Sequence, residues 1–230
     1  MLRKLITSIT LLSLIFLPFQ ASEKAHKTLK VSLKSQIELP DNFDKVYKTF
    51  HSYNKNTDTS LVVTFCDVAK LYGLDTNEMV FDLLLGQALQ ESGAQQYRKD
   101  SSLVVSSTGA VGFAQILRST SILYLRKCIT KEDSVIFNKV GVTDFSFVHN
   151  DKLSGRKRLD KARVWLSNYV NNIAMWGKIM SDELKRKDIH NALICYNVGP
   201  RKHKRFLAKG NEEDDHHYII SIKSKLKFVK

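Results

Sequence analysis

The stretch TNEMVFDLLLGQALQESG, residues 76–93, has the sequence pattern of a buried helix. Its apolar side chains recur every three or four residues, which is typical of a helix with one face in the core. Asp75 stands three residues before Glu78, a spacing that predicts an N-terminal capping box. Gly93 follows the last apolar turn and can adopt the left-handed conformation that ends a helix. The sequence therefore predicts a helix that ends beside Glu91.

Glu91 lies on the apolar face of this predicted helix. The residues three, seven and eleven positions before it are Ala88, Leu84 and Val80. Burial on that face disfavours a charged carboxylate and raises its pKa, and the partial negative charge of the helix C-terminus acts in the same direction. A carboxyl group that keeps its proton near neutral pH suits a general acid. The alternative, from these residues alone, is a half-exposed acid at a helix end whose stem covers the core.

Helical periodicity continues along the chain from Thr59, with little Gly or Pro to interrupt it. Residues 127–158 are less regular, and SVIFNKVGV and FSFVHN within them predict short strands. The fold class expected is mainly α, as one domain over about 59–210 with a small irregular or β-containing insert. Gly86, inside the first helix described, indicates that another backbone packs close to it. Further helices are predicted at about 61–72, 111–126, 166–184 and 188–196.

The two ends of the chain predict segments outside that domain. Residues 1–22 begin with two positive charges and a short apolar run, which is the pattern of an export signal peptide. An uncleaved anchor is the alternative, because Phe19 stands where a small residue is preferred before a cut after Ala21. Residues 23–58 are polar and lysine-rich and predict a linker or loosely packed arm, and residues 211–230 predict a basic tail. The expected location is the periplasm or cell envelope.

The chain is strongly basic, with a formal net charge of +13. Such a charge favours acidic partners, among which cell-wall polymer and weak contact with anionic lipid fit an exported protein. No nucleic-acid partner is expected, because the sequence contains no recognised DNA- or RNA-binding module. The acidic and histidine run EEDDHH, residues 212–217, predicts a solvated loop and no metal site. Two of Cys66, Cys128 and Cys195 could form a disulfide after export, and the sequence does not select the pair.

Three short motifs occur in a fixed order: ESG at 91–93, SSTGAVGFAQILRST at 106–120 and CYNVGP at 195–200. Together they resemble the lytic transglycosylases with a goose-lysozyme-like catalytic domain. The pattern of that family is Glu-Ser, then Ser-x-x-Gly-Ala-x-Gly-Leu-Met-Gln, and later Ala-Tyr-Asn-Ala-Gly-Pro. NNIAMWGKIM, residues 171–180, is similar to the Asn-Ile segment that precedes the last motif. The resemblance covers about 75–202 and implies a single lysozyme-like catalytic domain.

The resemblance implies a role for each matching residue. Glu91 would be the sole catalytic acid and base, and Ser92 would hold its carboxylate or a substrate amide. The implied reaction cleaves the β-1,4 bond between N-acetylmuramic acid and N-acetylglucosamine and yields a 1,6-anhydro sugar, without cofactor or metal. The implied partners are peptidoglycan strands and a secretion or conjugation apparatus. The other residues implied to bind substrate are Ser106, Gln115, Tyr196 and Asn197.

The same residues also have alternative interpretations that do not depend on the resemblance. Gln115 alone would be an ordinary polar residue, and the Tyr196-Asn197 pair would be a common helix-end turn. A hydrolytic muramidase on the same fold is one rival function, and it needs a second carboxylate such as Asp100, Asp133 or Asp144. A wall-binding assembly protein without catalysis is another.

The chain also departs from the family pattern. The segment AQQYRKDSSLVV, residues 94–105, adds length between the first two motifs. Phe113-Ala114 replaces Leu-Met, Arg118 replaces a proline, and Cys195 replaces an alanine. These departures are expected to change the shape of the subsites beside the cleft.

Overall fold

The computed structural model describes residues 39–229, and the predicted export signal at 1–22 and the first part of the predicted linker lie outside the described residues. Within 39–229 the chain is mainly α, with ten α-helices and one small antiparallel hairpin of two strands. None of the helices in this range is long and apolar enough to cross a lipid bilayer. The helices are α1 (Phe43–Tyr53), α2 (Thr59–Leu71), α3 (Glu78–Ser92), α4 (Arg118–Lys127), α5 (Lys131–Val140), α6 (Gly155–Ser167), α7 (Tyr169–Leu184), α8 (Ile189–Val198), α9 (Pro200–Leu207) and α10 (His217–Lys225). The strands are β1 (Ala110–Val111) and β2 (Ile116–Leu117), and short 3-10 turns lie at Ser146–His149, Glu213–Asp215 and Leu226–Phe228.

Helix α3 ends as its sequence predicts and begins differently. Gly93 is left-handed, with φ of 68°, and its N–H donates to the carbonyls of Ala88 and Leu89. The predicted capping box is wrong, because the side chain of Asn77 accepts the hydrogen bond from Val80 N–H at 3.1 Å. Asp75 instead accepts a hydrogen bond from Asn42 at 3.0 Å and ties α3 to the start of α1.

The centre of the fold is α7, in which every residue from 171 to 183 is buried. Trp176 stacks on Phe65 of α2 with ring centroids 4.8 Å apart, and its indole N–H donates to Gln87 of α3 at 3.0 Å. Gly177 lets α2 come close, because a Cβ there would meet Val68 Cγ1 at 2.3 Å. Trp176 therefore joins α7 to both α2 and α3 in one core.

The segment 211–230, predicted as a basic tail, includes a helix with buried residues. Residues 217–225 form α10, whose Tyr218, Ile219 and Ile222 are buried. A Cβ on Gly86 of α3 would lie 3.1 Å from the backbone oxygen of Ile222, which confirms the prediction of a close backbone at that glycine. The C-terminal helix packs because its apolar residues recur at helical spacing between the lysines.

Two other predicted segments differ from the structure. The arm expected over 23–58 contains α1, which buries Phe43, Val46 and Phe50 against the core. The strands expected within 127–158 are absent among the described residues, where SVIFNKVGV lies largely in α5 and FSFVHN contains a 3-10 turn. A capping box between Thr130 and Asp133 fixes the start of α5, and this local signal outweighs the β propensity of the valines and isoleucine.

The helix predicted from residue 111 starts seven residues later, at Arg118. Gly109 and Gly112 have φ of 81° and 74°, and Gln115 has φ of 49°. Left-handed residues at this spacing break an α-helix and turn the chain back on itself. The result is the β1–β2 hairpin, in which Ala110 pairs with Leu117 and Val111 with Ile116.

Candidate active site

Glu91 occupies the last turn of α3 and lines a cleft of about 590 Å³. That volume is within the range of small-ligand sites. The β1–β2 hairpin, α4, the C-terminal part of α7 and the end of α8 supply most of the other walls. The cleft is therefore built from elements spread over most of the described chain.

Burial raises the pKa of Glu91 to about 7, and a hydrogen bond from Tyr218 opposes the rise. The raised pKa and its cause, burial on the apolar face of α3, agree with the sequence prediction. Glu91 keeps partial exposure at the cleft, so a proton on it can reach a ligand. A carboxyl with a pKa near the working pH can both give and take a proton.

Tyr218 is a site residue that the sequence reasoning missed. Its hydroxyl donates a hydrogen bond to Oε1 of Glu91 across 127 residues of sequence, and the side chain is buried. Burial and the charge of Glu91 raise the pKa of Tyr218 well above its usual value, so it remains a donor. The only signal in the sequence was the helical spacing of Tyr218, Ile219 and Ile222, which the surrounding charges obscured.

Tyr196 lies at the C-terminal end of α8 and lines the cleft. Its hydroxyl donates to the carbonyl of Ala114 in the hairpin loop at 2.5 Å. Burial and the nearby charge of Glu91 raise its pKa well above the usual value. The side chain thus joins α8 to the hairpin beside the carboxyl group.

Gln115 lines the cleft at the tip of the hairpin. Its side-chain amide donates to the carbonyl of Gly112 at 2.7 Å, which leaves the amide oxygen without a hydrogen bond in the described structure. Ser106 also lines the cleft, and its hydroxyl accepts from the N–H of Ala110 at 3.0 Å. Both side chains therefore shape the hairpin as well as the surface that a ligand would meet.

Of the two remaining predicted residues, one lines the cleft and the other does not. Asn197 is exposed and lines the cleft next to Tyr196. Ser92 is buried and does not line it, and its hydroxyl accepts from the N–H of Gln95 at 3.2 Å. Ser92 thus stabilises the turn after α3, and it makes no hydrogen bond to Glu91 within the described residues.

The segment 94–105 holds the hairpin in place through Gln96. This buried side chain accepts from Phe113 N–H at 2.7 Å and donates to the carbonyl of Leu166 at 2.9 Å. Asn172 of α7 also accepts a hydrogen bond from Ala114 N–H at 2.8 Å, and it donates one to the Val111 carbonyl at 2.8 Å. A Cβ on Gly112 would overlap both amides, so glycine is required there.

The carboxylates considered for a hydrolytic mechanism lie outside the cleft. Asp100 is exposed and bonds to Ser102, and Asp144 bonds to Ser146 in the same way. Asp133 is buried in an ion pair with Lys178 at 2.7 Å. Two other acids line the cleft, Asp182 and Glu183, and each forms an ion pair with a lysine.

All three cysteines are free thiols. Burial raises the pKa of Cys66 to about 12, and burial together with the charge of Glu183 raises that of Cys195 to about 11. Cys195 and Cys128 both line the cleft. Within residues 39–229 no group of three or more His, Cys, Asp or Glu side chains is placed to hold a metal ion.

No protein-family model, curated protein or solved structure matches this chain.

Proposed function

We propose that the chain is a peptidoglycan lytic transglycosylase with a lysozyme-like catalytic domain, exported to the periplasm or cell envelope. The observation that carries the proposal is the convergence of the three sequence motifs on one cleft. Glu91 comes from the first motif, Ser106 and Gln115 from the second, and Tyr196 and Asn197 from the third. Three motifs from separate parts of the sequence thus line one cleft with a carboxyl group whose pKa is about 7.

The proposed reaction uses Glu91 twice. Tyr218 donates to Oε1, so the acidic proton resides on Oε2. That proton passes to the oxygen between N-acetylmuramic acid and N-acetylglucosamine, and the bond from this oxygen to the anomeric carbon breaks. The 2-acetamido group of the substrate stabilises the resulting sugar cation, as in substrate-assisted glycosidases. The ionised Glu91 then removes the proton of the muramic acid 6-hydroxyl, whose oxygen bonds to the anomeric carbon.

Tyr218 and Tyr196 assist this cycle without exchanging protons. The hydrogen bond from Tyr218 stabilises the ionised carboxylate between the two steps, which keeps its pKa from rising further. Tyr196 holds the hairpin against α8 through Ala114 and so fixes the distance between Gln115 and the carboxyl group. A pKa close to 7 balances the two proton transfers, because neither protonation state is strongly favoured.

A hydrolytic muramidase is the nearest rival, and the charges of the cleft weigh against it. Such an enzyme needs a second carboxylate free to activate water. Asp182 accepts a hydrogen bond from Lys178 at 2.9 Å, and Glu183 forms an ion pair with Lys187. Glu91 is thus the cleft carboxyl group without a cationic partner among the described residues.

Mass analysis of the muropeptides released from purified peptidoglycan tests the proposal. The wild-type protein is expected to release 1,6-anhydromuramic products, and Glu91→Gln is expected to release none while remaining folded. Glu78→Gln, an exposed change in the first turn of the same helix, is the matched control and should retain activity. Products with reducing muramic acid would favour the muramidase, and failure of the wild-type protein to cleave would favour a wall-binding protein. The partners that follow from the proposal are glycan strands and an apparatus for secretion or conjugation that needs the wall opened locally.

A further inference from the structure

The charged side chains of the cleft do not all form ion pairs. Two acids on the α7 side do, since Asp182 pairs with Lys178, which also pairs with the buried Asp133, and Glu183 pairs with Lys187. Arg186 lines the same wall and forms no ion pair within residues 39–229. The lining residues that carry formal charge are Glu91, Asp182, Glu183, Arg186 and Lys187. Arg186 is therefore the cation of the cleft lining that has no ion-pair partner among the described residues.

Arg186 follows the end of α7 and is exposed to solvent. Its guanidinium is close enough to Tyr124 to lower the pKa of that hydroxyl, which burial and the neighbouring carboxylates raise. Tyr124 belongs to α4 and lines the same cleft. The free guanidinium is thus near the surface where a ligand would lie.

Helix α9 is positively charged and begins beside the cleft. It begins at Pro200, itself a lining residue, and its four exposed cationic side chains form no ion pair within the described structure. The buried His203 of this helix is close to Lys187, whose charge adds to burial in lowering the histidine pKa. The α9 helix is therefore next to the wall that carries Arg186. The four side chains are Arg201, Lys202, Lys204 and Arg205.

We propose that Arg186 binds a carboxylate of the substrate, with α9 supplying a supporting positive field. This inference rests on the proposed function and names the feature of peptidoglycan that the cleft selects. A guanidinium presents two parallel N–H donors that match the two oxygens of a carboxylate. Peptidoglycan offers carboxylates from two sources, which are the peptide stem and the lactyl group that is left free when the stem is removed.

Calorimetric titration of the full-length Glu91→Gln protein tests the inference separately from catalysis. The probes are a disaccharide-tetrapeptide with free carboxylates, the same molecule with its carboxylates amidated, and the stem-free disaccharide with its lactyl carboxylate. The acid tetrapeptide form is expected to bind at least about tenfold more tightly than the amidated form, because charge-assisted bonds exceed neutral ones. The lactyl carboxyl is blocked by the stem in both tetrapeptide probes, so tighter binding of the acid form assigns the carboxylate to the stem. Tighter binding of the stem-free disaccharide alone, relative to the amidated form, assigns it to the lactyl group.

The variant Arg186→Gln, made in the same Glu91→Gln protein, should remove the preference for carboxylates. Arg163→Gln changes an exposed arginine of α6 that lies outside the cleft, and it should preserve the preference. Equal affinity for all three probes with Arg186 present, no binding of any probe, or the same loss in both variants would overturn the inference. Release of anhydro products by a wild-type protein without a carboxylate preference refutes this inference alone. Carboxylate-dependent binding without cleavage refutes the proposed function alone.

Discussion

Replacing Glu91 by glutamine removes a destabilising charge as well as the chemistry. The pKa of Glu91 rises from an ordinary 4.5 to about 7 in the folded protein, chiefly because of burial. At about 1.4 kcal/mol for each pKa unit, this rise corresponds to about 3 kcal/mol. Between these two values the folded state holds a proton that the unfolded chain has lost, so the free energy of unfolding falls as pH increases.

The upward direction of the Glu91 pKa shift determines the pH range over which the free energy of unfolding changes. Below about pH 4 both states hold the proton and the carboxyl group contributes no pH dependence. Above about pH 8 both states have lost it, and the full penalty of about 3 kcal/mol is present. Glu91→Gln cannot ionise, so it should gain about 3 kcal/mol relative to wild type between pH 4 and pH 8.

Urea unfolding at pH 4, 5.5, 7 and 8 measures this difference for both proteins. Any effect of glutamine that does not depend on pH, such as a changed bond to Tyr218, cancels when the two ends of the range are compared. The other titrating groups are the same in both proteins and also cancel. A difference in the free energy of unfolding between the two proteins that stays constant from pH 4 to pH 8 would refute the raised pKa of a buried Glu91. That conclusion would hold whatever the enzyme assays give.

Three further predictions follow from the packing around the site. Tyr218→Phe removes the hydrogen bond that lowers the pKa of Glu91, so the alkaline limb of the pH–activity profile should move up by about one pH unit or more; an unmoved limb would contradict the role of the tyrosine. Gly177→Ala should destabilise by about 1–3 kcal/mol in urea unfolding, although alanine favours helices, because its Cβ would meet Val68 at 2.3 Å; a stabilised variant would show that α2 and α7 can separate. Gln96→Ala leaves buried backbone groups of the hairpin without partners and should lower both stability, by about 1–3 kcal/mol, and activity; lost stability with normal activity would show that the hairpin does not depend on it.

Local sequence signals predicted those parts of the fold that local physics decides. The apolar spacing of α2, α3 and α7 predicted three helices that the structure contains, and Gly93 ends α3 in the left-handed conformation expected of it. The raised pKa of Glu91 was also predictable, because its position three residues after Ala88 places the carboxyl group on the buried face.

The parts that the sequence did not predict depend on contacts between distant residues. Tyr218 is 127 residues from Glu91, and no local pattern indicates which tyrosine of a lysine-rich segment turns inward. Gln96 lies in the segment expected only to reshape the cleft. Its side-chain amide instead forms hydrogen bonds with the backbone of the hairpin and of α6. Such partners are selected by burial in the finished fold, which composition and periodicity do not specify.

The position of the hairpin follows from this same dependence on distant contacts. Gln115 has φ of 49°, a conformation that costs a residue with a side chain of the order of 1 kcal/mol or more. That cost is sustained because Gln96 accepts from the N–H of Phe113 and Asn172 accepts from the N–H of Ala114. With these N–H groups engaged, the loop cannot relax without leaving two buried amides unpaired. The hairpin is therefore held rigidly against α7, so that the distance from Gln115 to Glu91 is set by the core rather than by the ligand.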